Sequence, residues 1–144
     1  MKTIKFLYLI IFTIVCTSLS YSQENTHTII TGKSTIAKYH EQKELESMKK
    51  GQLIDLYVER SSAFTYMLNV IGLTTDAKTT TKDLGIIETP EILKQLETKR
   101  TVEIDYATKM STFEKTLLPY VDKIELVSSI LLYEDILKKL HNKE

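Results

Sequence analysis

The hydrophobic and polar positions divide the chain into stretches of different rhythm. From Gln52 to Gly72, polar residues fall at Asp55, Glu59, Ser62, Thr65 and Asn69, three or four apart. The positions between them are mostly apolar, among them Leu53, Leu56, Val58, Ala63, Phe64 and Met67. A narrow polar stripe on a broadly apolar helix predicts burial on most sides, so this helix is expected at the centre of the fold. The last segment has a four-three rhythm of Leu126, Ile130, Tyr133, Leu137 and Leu140, followed by Lys138, Lys139, His141 and Lys143 at the helix end that favours positive charge.

Between these two helices the clearest local signal is Thr89-Pro90-Glu91. Threonine caps, proline fills the first helical position where its missing N–H does no harm, and glutamate suits the positive helix end. Apolar positions then continue through Ile92, Leu93, Leu96, Val102, Tyr106, Met110, Phe113 and Leu117. Pro119 ends or kinks this helix near Leu117.

Upstream, Ser34 or Thr35 is placed to cap a first helix carrying Ile36, Tyr39, Leu45 and Met48, with a break or a tolerated glycine at Gly51. Residues 73–89 form a threonine-rich connection. In it Asp76 is expected to cap a short helix ending at Leu84, with Gly85 as its left-handed terminator and Ile86 and Ile87 tucked inward. Residues 23–33 are polar and β-branched and read as a flexible arm, with Thr28–Thr31 capable of pairing but lacking an evident partner strand.

The first 22 residues read as a secretory signal peptide. Lys2 and Lys5 form a positive start, and residues 6–16 form an apolar run of 11, where a membrane span needs about 20. Small residues at Ser20 and Ser22 place cleavage between Ser22 and Gln23. Lipid attachment at Cys16 is disfavoured because Ile14 and Val15 precede it where small residues belong. Cys16 is the single cysteine, so cleavage would leave a chain without disulfide, thiolate-metal or cysteine-nucleophile chemistry.

Composition supports a helical reading. Gly (4) and Pro (2) are few among 144 residues, while hydrophobic content of 42% is enough for a core. The expectation is an all-α fold: a small antiparallel bundle of three to four helices spanning residues 34–144 as one domain, after the leader (1–22) and the arm (23–33). Net charge is formally zero, and without Lys2 and Lys5 it is about −2, so the basic surplus of a nucleic-acid binder is missing.

No catalytic or cofactor-binding constellation emerges. His40, Glu41 and Glu44 share a helix face if that region is helical, but lack the further ligands of a metal centre. His27 and His141 lie far off near the ends of the chain. Asp122/Glu125 and Glu134/Asp135 read as neighbours on an outer helix face rather than converging acid–base pairs, and Ser61/Ser62 and Ser128/Ser129 have no assignable base. Arg60, Arg100 and Glu103 are the candidates for a polar pocket between helices, built on a buried ion pair, for a small ligand or a metal. The competing reading has long Arg and Lys stems covering apolar surface with their heads in water.

The stripe Leu126, Ile130, Tyr133, Leu137 and Leu140 is the candidate interaction face. The function expected is that of an exported protein, periplasmic or secreted, that acts by binding another envelope or secreted protein, or itself, rather than by catalysis. Neither a cofactor, nor nucleic acid, nor a membrane span after cleavage is expected.

Overall fold

The computed structural model describes residues 27–31 and 33–141; the leader, the Ser22–Gln23 junction and Cys16 lie outside the described residues. Among the described residues four α-helices run in the order α1 (Gln42–Ser47), α2 (Lys50–Leu68), α3 (Pro90–Leu117) and α4 (Lys123–His141), with a 3-10 turn at Leu118–Tyr120. Among the described residues extended pairing is confined to one isolated bridge, so the fold is all-helical.

α2 occupies the centre, packed against α4 on one side and α3 on another. Its hydrogen bonds to α3 pair Ser61 with Glu114, Ser62 with Ser111 and Asn69 with Glu103, so the two helices run in opposite directions. The α2–α4 seam is apolar and falls into two clusters. Leu45, Leu53, Val58, Leu118, Leu126, Val127 and Ile130 form one, and Ile29, Ile30, Ala63, Met67, Val70, Leu137 and Leu140 form the other. Low residue numbers of α2 meet low numbers of α4, so these two run in the same direction. Each fully buried Leu or Ile here contributes about 1.5–3 kcal/mol of transfer free energy.

The local signals explain the helix ends. Thr89 Oγ1 accepts from the Ile92 N–H at 3.3 Å with Pro90 in the first turn. Pro119 falls in the 3-10 turn, and Val121 is extended (ψ 142°), so α3 and α4 are two helices rather than one kinked rod. The break before α2 falls at Met48 and Lys49, both extended, and Gly51 sits in the first turn of α2 rather than at the break.

Three local expectations are corrected. The first helix begins at Gln42 and not at Ser34 or Thr35. Backbone groups of residues 38–40 are bound by side chains of other helices: the Lys38 carbonyl accepts from Arg60 at 2.6 Å and the His40 N–H donates to Glu134. Those groups are thereby withdrawn from a helical ladder. Residues 76–84 are turns, because Asp76 accepts from the Lys78 N–H and Asp83 accepts from both the N–H and hydroxyl of Thr80, local bonds that compete with helix. Gly85 does take the left-handed conformation (φ 69°), and Ile86 packs on the core, but Ile87 is exposed.

The third correction concerns the N-terminal arm. Ile29 and Ile30 are buried in the second apolar cluster. The partner that the sequence did not reveal is the threonine-rich connection: Thr28 bridges Thr80, with Ile29 N–H donating to Thr79 O and Thr81 N–H to His27 O, both at 3.0 Å. Two β-branched residues bury enough apolar surface to hold this stretch against the helices.

Candidate functional site

The two apolar clusters of the α2–α4 seam are separated by an ionic network. Arg60 lies between Val58 and Ala63, and Glu134 between Ile130 and Leu137; they are 1% and 4% exposed. Arg60 donates from Nε to Glu134 Oε1 at 3.0 Å and from its terminal nitrogens to Glu134 Oε1 (2.9 Å), the Lys38 carbonyl (2.6 Å) and Glu59 Oε2 (2.6 Å). Glu134 also faces His40 Nδ1 at 2.9 Å. A buried guanidinium is tolerated when its donors are satisfied in this way. The network ties residues 38–40 to α2 and α4, and Tyr39 adds a bond from its hydroxyl to His141 Nδ1 at 2.9 Å.

This arrangement overturns two sequence expectations. Glu134 is not on an outer face; it is the buried partner of Arg60. His40, Glu41 and Glu44 do not share a helix face, because His40 and Glu41 precede α1. His40 instead belongs to the ionic network, Glu44 pairs with Lys38 in solvent, and His27 meets Glu88 Oε1 at 3.3 Å. Among the described residues no group of three or more His, Cys, Asp or Glu is placed to hold a metal ion.

The seam between α2 and α3 is polar. Glu103, 5% exposed, accepts from Thr31 Oγ1 (2.8 Å) and Lys99 Nζ (2.8 Å), and lies 3.5 Å from Asn69 Nδ2. Next along the helix come Ala107, then Ser111 against Ser62 at 3.2 Å, then Glu114 accepting from Ser61 Oγ at 2.6 Å. The second carboxylate oxygen of Glu114 is buried without a partner. Burial pushes the Glu114 carboxyl above the usual carboxylate range, with the Ser61 bond pulling the other way. One turn back along α2 from Ser61, burial, the hydroxyl of Tyr133 and the nearby Glu114 push Tyr57 up to about 12.

Arg60, Arg100 and Glu103 therefore do not build one pocket. Arg60 pairs with Glu134 on α4, Glu103 with Thr31 and Lys99, and Arg100 is a partly exposed residue reaching the Thr28 carbonyl at 3.3 Å and Glu97 at 3.6 Å. The surface depressions are shallow and open, from about 180 to about 370 Å³. One of about 240 Å³ runs beside the polar seam, lined by Glu59, Ser62, Tyr66 and Ser111 among others.

The stripe of α4 expected as an interaction face is core. Leu126, Ile130, Leu137 and Leu140 are buried and Tyr133 is partly buried, its ring 5.5 Å from Tyr57 in an edge-to-face contact and 6.0 Å from Phe64. A fold of this size needs that stripe for its own packing.

The unpartnered apolar surface lies on α3 instead. The buried residues of α3 are Glu103, Ala107 and Glu114, while Val102, Ile104, Tyr106, Phe113 and Leu117 are exposed by 43–61%, and Tyr120 beyond the helix end is more exposed still. The helix is polar where it meets α2, and it leaves a row of large apolar residues exposed beside its threonines and charged residues. Thr98, Thr101, Thr108, Thr112 and Thr116 on the exposed side return their hydroxyls to the carbonyl four residues back, at 2.7–3.0 Å, which lowers their demand for water. The periodicity of α3 hid this. Its large apolar residues carry a helical rhythm whichever way they face, and the deciding signal was the small and hydrogen-bonding set at Glu103, Ala107, Ser111 and Glu114 opposite Ser61, Ser62 and Asn69.

In comparison with known proteins, no family model matches this chain, and neither a curated protein nor a solved structure is significantly similar to it.

Proposed function

We propose that the chain is an exported helical-bundle protein that acts by binding another protein rather than by catalysis, through the exposed apolar row of α3. The observation that carries this reading is the row of Val102, Tyr106, Phe113 and Leu117, exposed on a helix whose inward side is already satisfied by polar contacts. Exposed apolar rows containing aromatic residues favour protein contacts, since Tyr and Phe bring large rigid surfaces at low entropic cost. Export rests on the lysines, short apolar run and small residues of the leader. No helix among the described residues is long and apolar enough to cross a membrane.

The reading is tested by photo-crosslinking in the producing cell. A photoreactive aromatic residue at Phe113 should give discrete protein adducts, while the same group at Thr108, on the threonine side of α3, should not. Adduct-free Phe113 under conditions that label a known partner pair would remove protein binding at this face. Mass spectrometry of the N-terminus tests export: a chain starting at Gln23 is expected, and a full-length or lipid-modified chain would correct the processing.

A further inference from the structure

Resting on the reading that this face binds protein, we propose that its occupant is a second copy of this chain, packed antiparallel along α3 about a two-fold axis between Lys109 and Met110.

The spacing of the exposed residues is its own mirror image. Val102, Tyr106, Phe113 and Leu117 are separated by four, seven and four positions. An antiparallel copy centred between Lys109 and Met110 sets Val102 opposite the second copy's Leu117 and Tyr106 opposite its Phe113. Each of these four side chains then meets another of the four, and the two aromatic layers are equivalent. An isologous two-fold contact requires a self-complementary patch of this kind. A partner unrelated in sequence would impose no such symmetry on the row.

The available area fits a modest dimer. An enclosed aromatic side chain buries about 150–250 Å². At 53% and 58% exposure, Tyr106 and Phe113 each still offer about 100 Å². With comparable amounts from Val102 (61%) and Leu117 (49%), the row offers about 400 Å² per copy, or about 800 Å² for the pair. Homodimer interfaces are about 65% apolar, so the whole contact comes to about 1,200 Å², the lower bound of stable specific interfaces. α3 is 28 residues, about 42 Å long, and is long enough to carry it.

Two further features favour a like partner. The formal net charge is zero for the full sequence and about −2 without Lys2 and Lys5, so two copies approach with little long-range repulsion. At the proposed axis Lys109 is already neutralised by Asp105 on its own helix at 2.7 Å, so the centre of the contact adds no unpaired charge. The polar inward side of α3 is also committed to α2, so the helix cannot roll to hide the row without breaking the bonds of Glu103 and Glu114.

The test is sedimentation of the chain purified in the form its host produces, from about 1 to 100 μM, with a dimer mass expected to grow in over that range. Phe113→Glu should raise the dissociation constant roughly 30-fold or more, as loss of a central aromatic does. Should that variant not fold, disulfide trapping in a Cys16→Ser background reads the same geometry. Lys109→Cys should form a dimeric disulfide, Val102→Cys alone should not, and mixed Val102→Cys and Leu117→Cys chains should pair with each other. A chain that is monomeric at 100 μM and gives no Lys109→Cys disulfide overturns the proposal, as does self-pairing of Val102→Cys, which requires a parallel arrangement. If the chain is monomeric but Phe113 crosslinks to a different protein, the second copy is wrong and protein binding stands; if neither occurs, both fall.

Discussion

Removing the Glu134 carboxylate tests how the fold carries a charge in its core. Arg60 is 1% exposed and has two of its nitrogens on Glu134 Oε1 at 2.9 and 3.0 Å. Glu134→Ala leaves that guanidinium with the Lys38 carbonyl, His40 Nδ1 and the half-exposed Glu59, none of them a buried counter-charge, and strips the His40 N–H of its acceptor. Breaking a buried pair by deleting one partner costs about 3–5 kcal/mol, which for a domain this size lowers the melting temperature by roughly 15–30 °C. The double variant Arg60→Met/Glu134→Leu removes both charges and fills the space with apolar atoms, joining the two clusters into one. It should recover most of the loss or exceed the parent, since apolar replacements of buried pairs are often neutral or stabilising. Urea unfolding followed by circular dichroism, on the parent, Arg60→Met, Glu134→Leu and the double, gives the coupling energy directly. A Glu134→Ala variant within about 0.5 kcal/mol of the parent would show that Arg60 reaches water, and would refute the buried-network account.

Other consequences follow from neighbouring features. Ile130→Ala should cost about 2–5 kcal/mol of unfolding free energy, while Leu132→Ala, two residues on but largely exposed, should change it by less than about 0.5 kcal/mol; equal effects would mean that α4 is rotated from the orientation described. Because burial raises the Glu114 pKa in the folded state above its unfolded value near 4.5, its favourable contribution is complete below that value and is lost as pH rises through the folded pKa. Glu114→Gln, which keeps an oxygen for Ser61, should flatten the fall in stability above pH 4.5, and an unchanged pH slope would count against a buried carboxyl. Thr89→Ala should cost about 1 kcal/mol by removing the cap of α3, measured by thermal unfolding. Gly85→Ala should cost a similar amount through backbone strain alone, as nothing lies within 4 Å of the added methyl.

Much of the helical layout was legible in the sequence, and the reasons are local. Thr89-Pro90 and Pro119 bracket α3 because a cap, a fixed φ and a missing N–H act within one turn. The narrow polar stripe of residues 52–69 identified α2 as central because a helix packed on several sides can leave few polar positions. Gly85 was identifiable as left-handed for the same kind of local reason.

What the sequence could not settle was which face of each helix meets which neighbour. The periodic row on α4 and the periodic row on α3 look alike as patterns, yet Leu126, Ile130, Leu137 and Leu140 are core while Val102, Tyr106, Phe113 and Leu117 are exposed. Periodicity reports a face, not its destination, and the destination depends on residues far apart in the chain. Glu134 turned inward because Arg60, 74 positions away, needed a counter-charge there. α3 turned its polar side inward because Ser61, Ser62 and Asn69 offered hydrogen-bonding groups on the facing helix. Residues 27–31 packed down because a bridge at Thr80 and a gap beside Met67 and Leu137 accepted them. The sequence by itself thus determined where α3 starts and stops, through forces acting within a turn, and which helix is central. The tertiary structure alone decided which polar groups are buried and which apolar row is left exposed, because pairing between distant segments sets those choices.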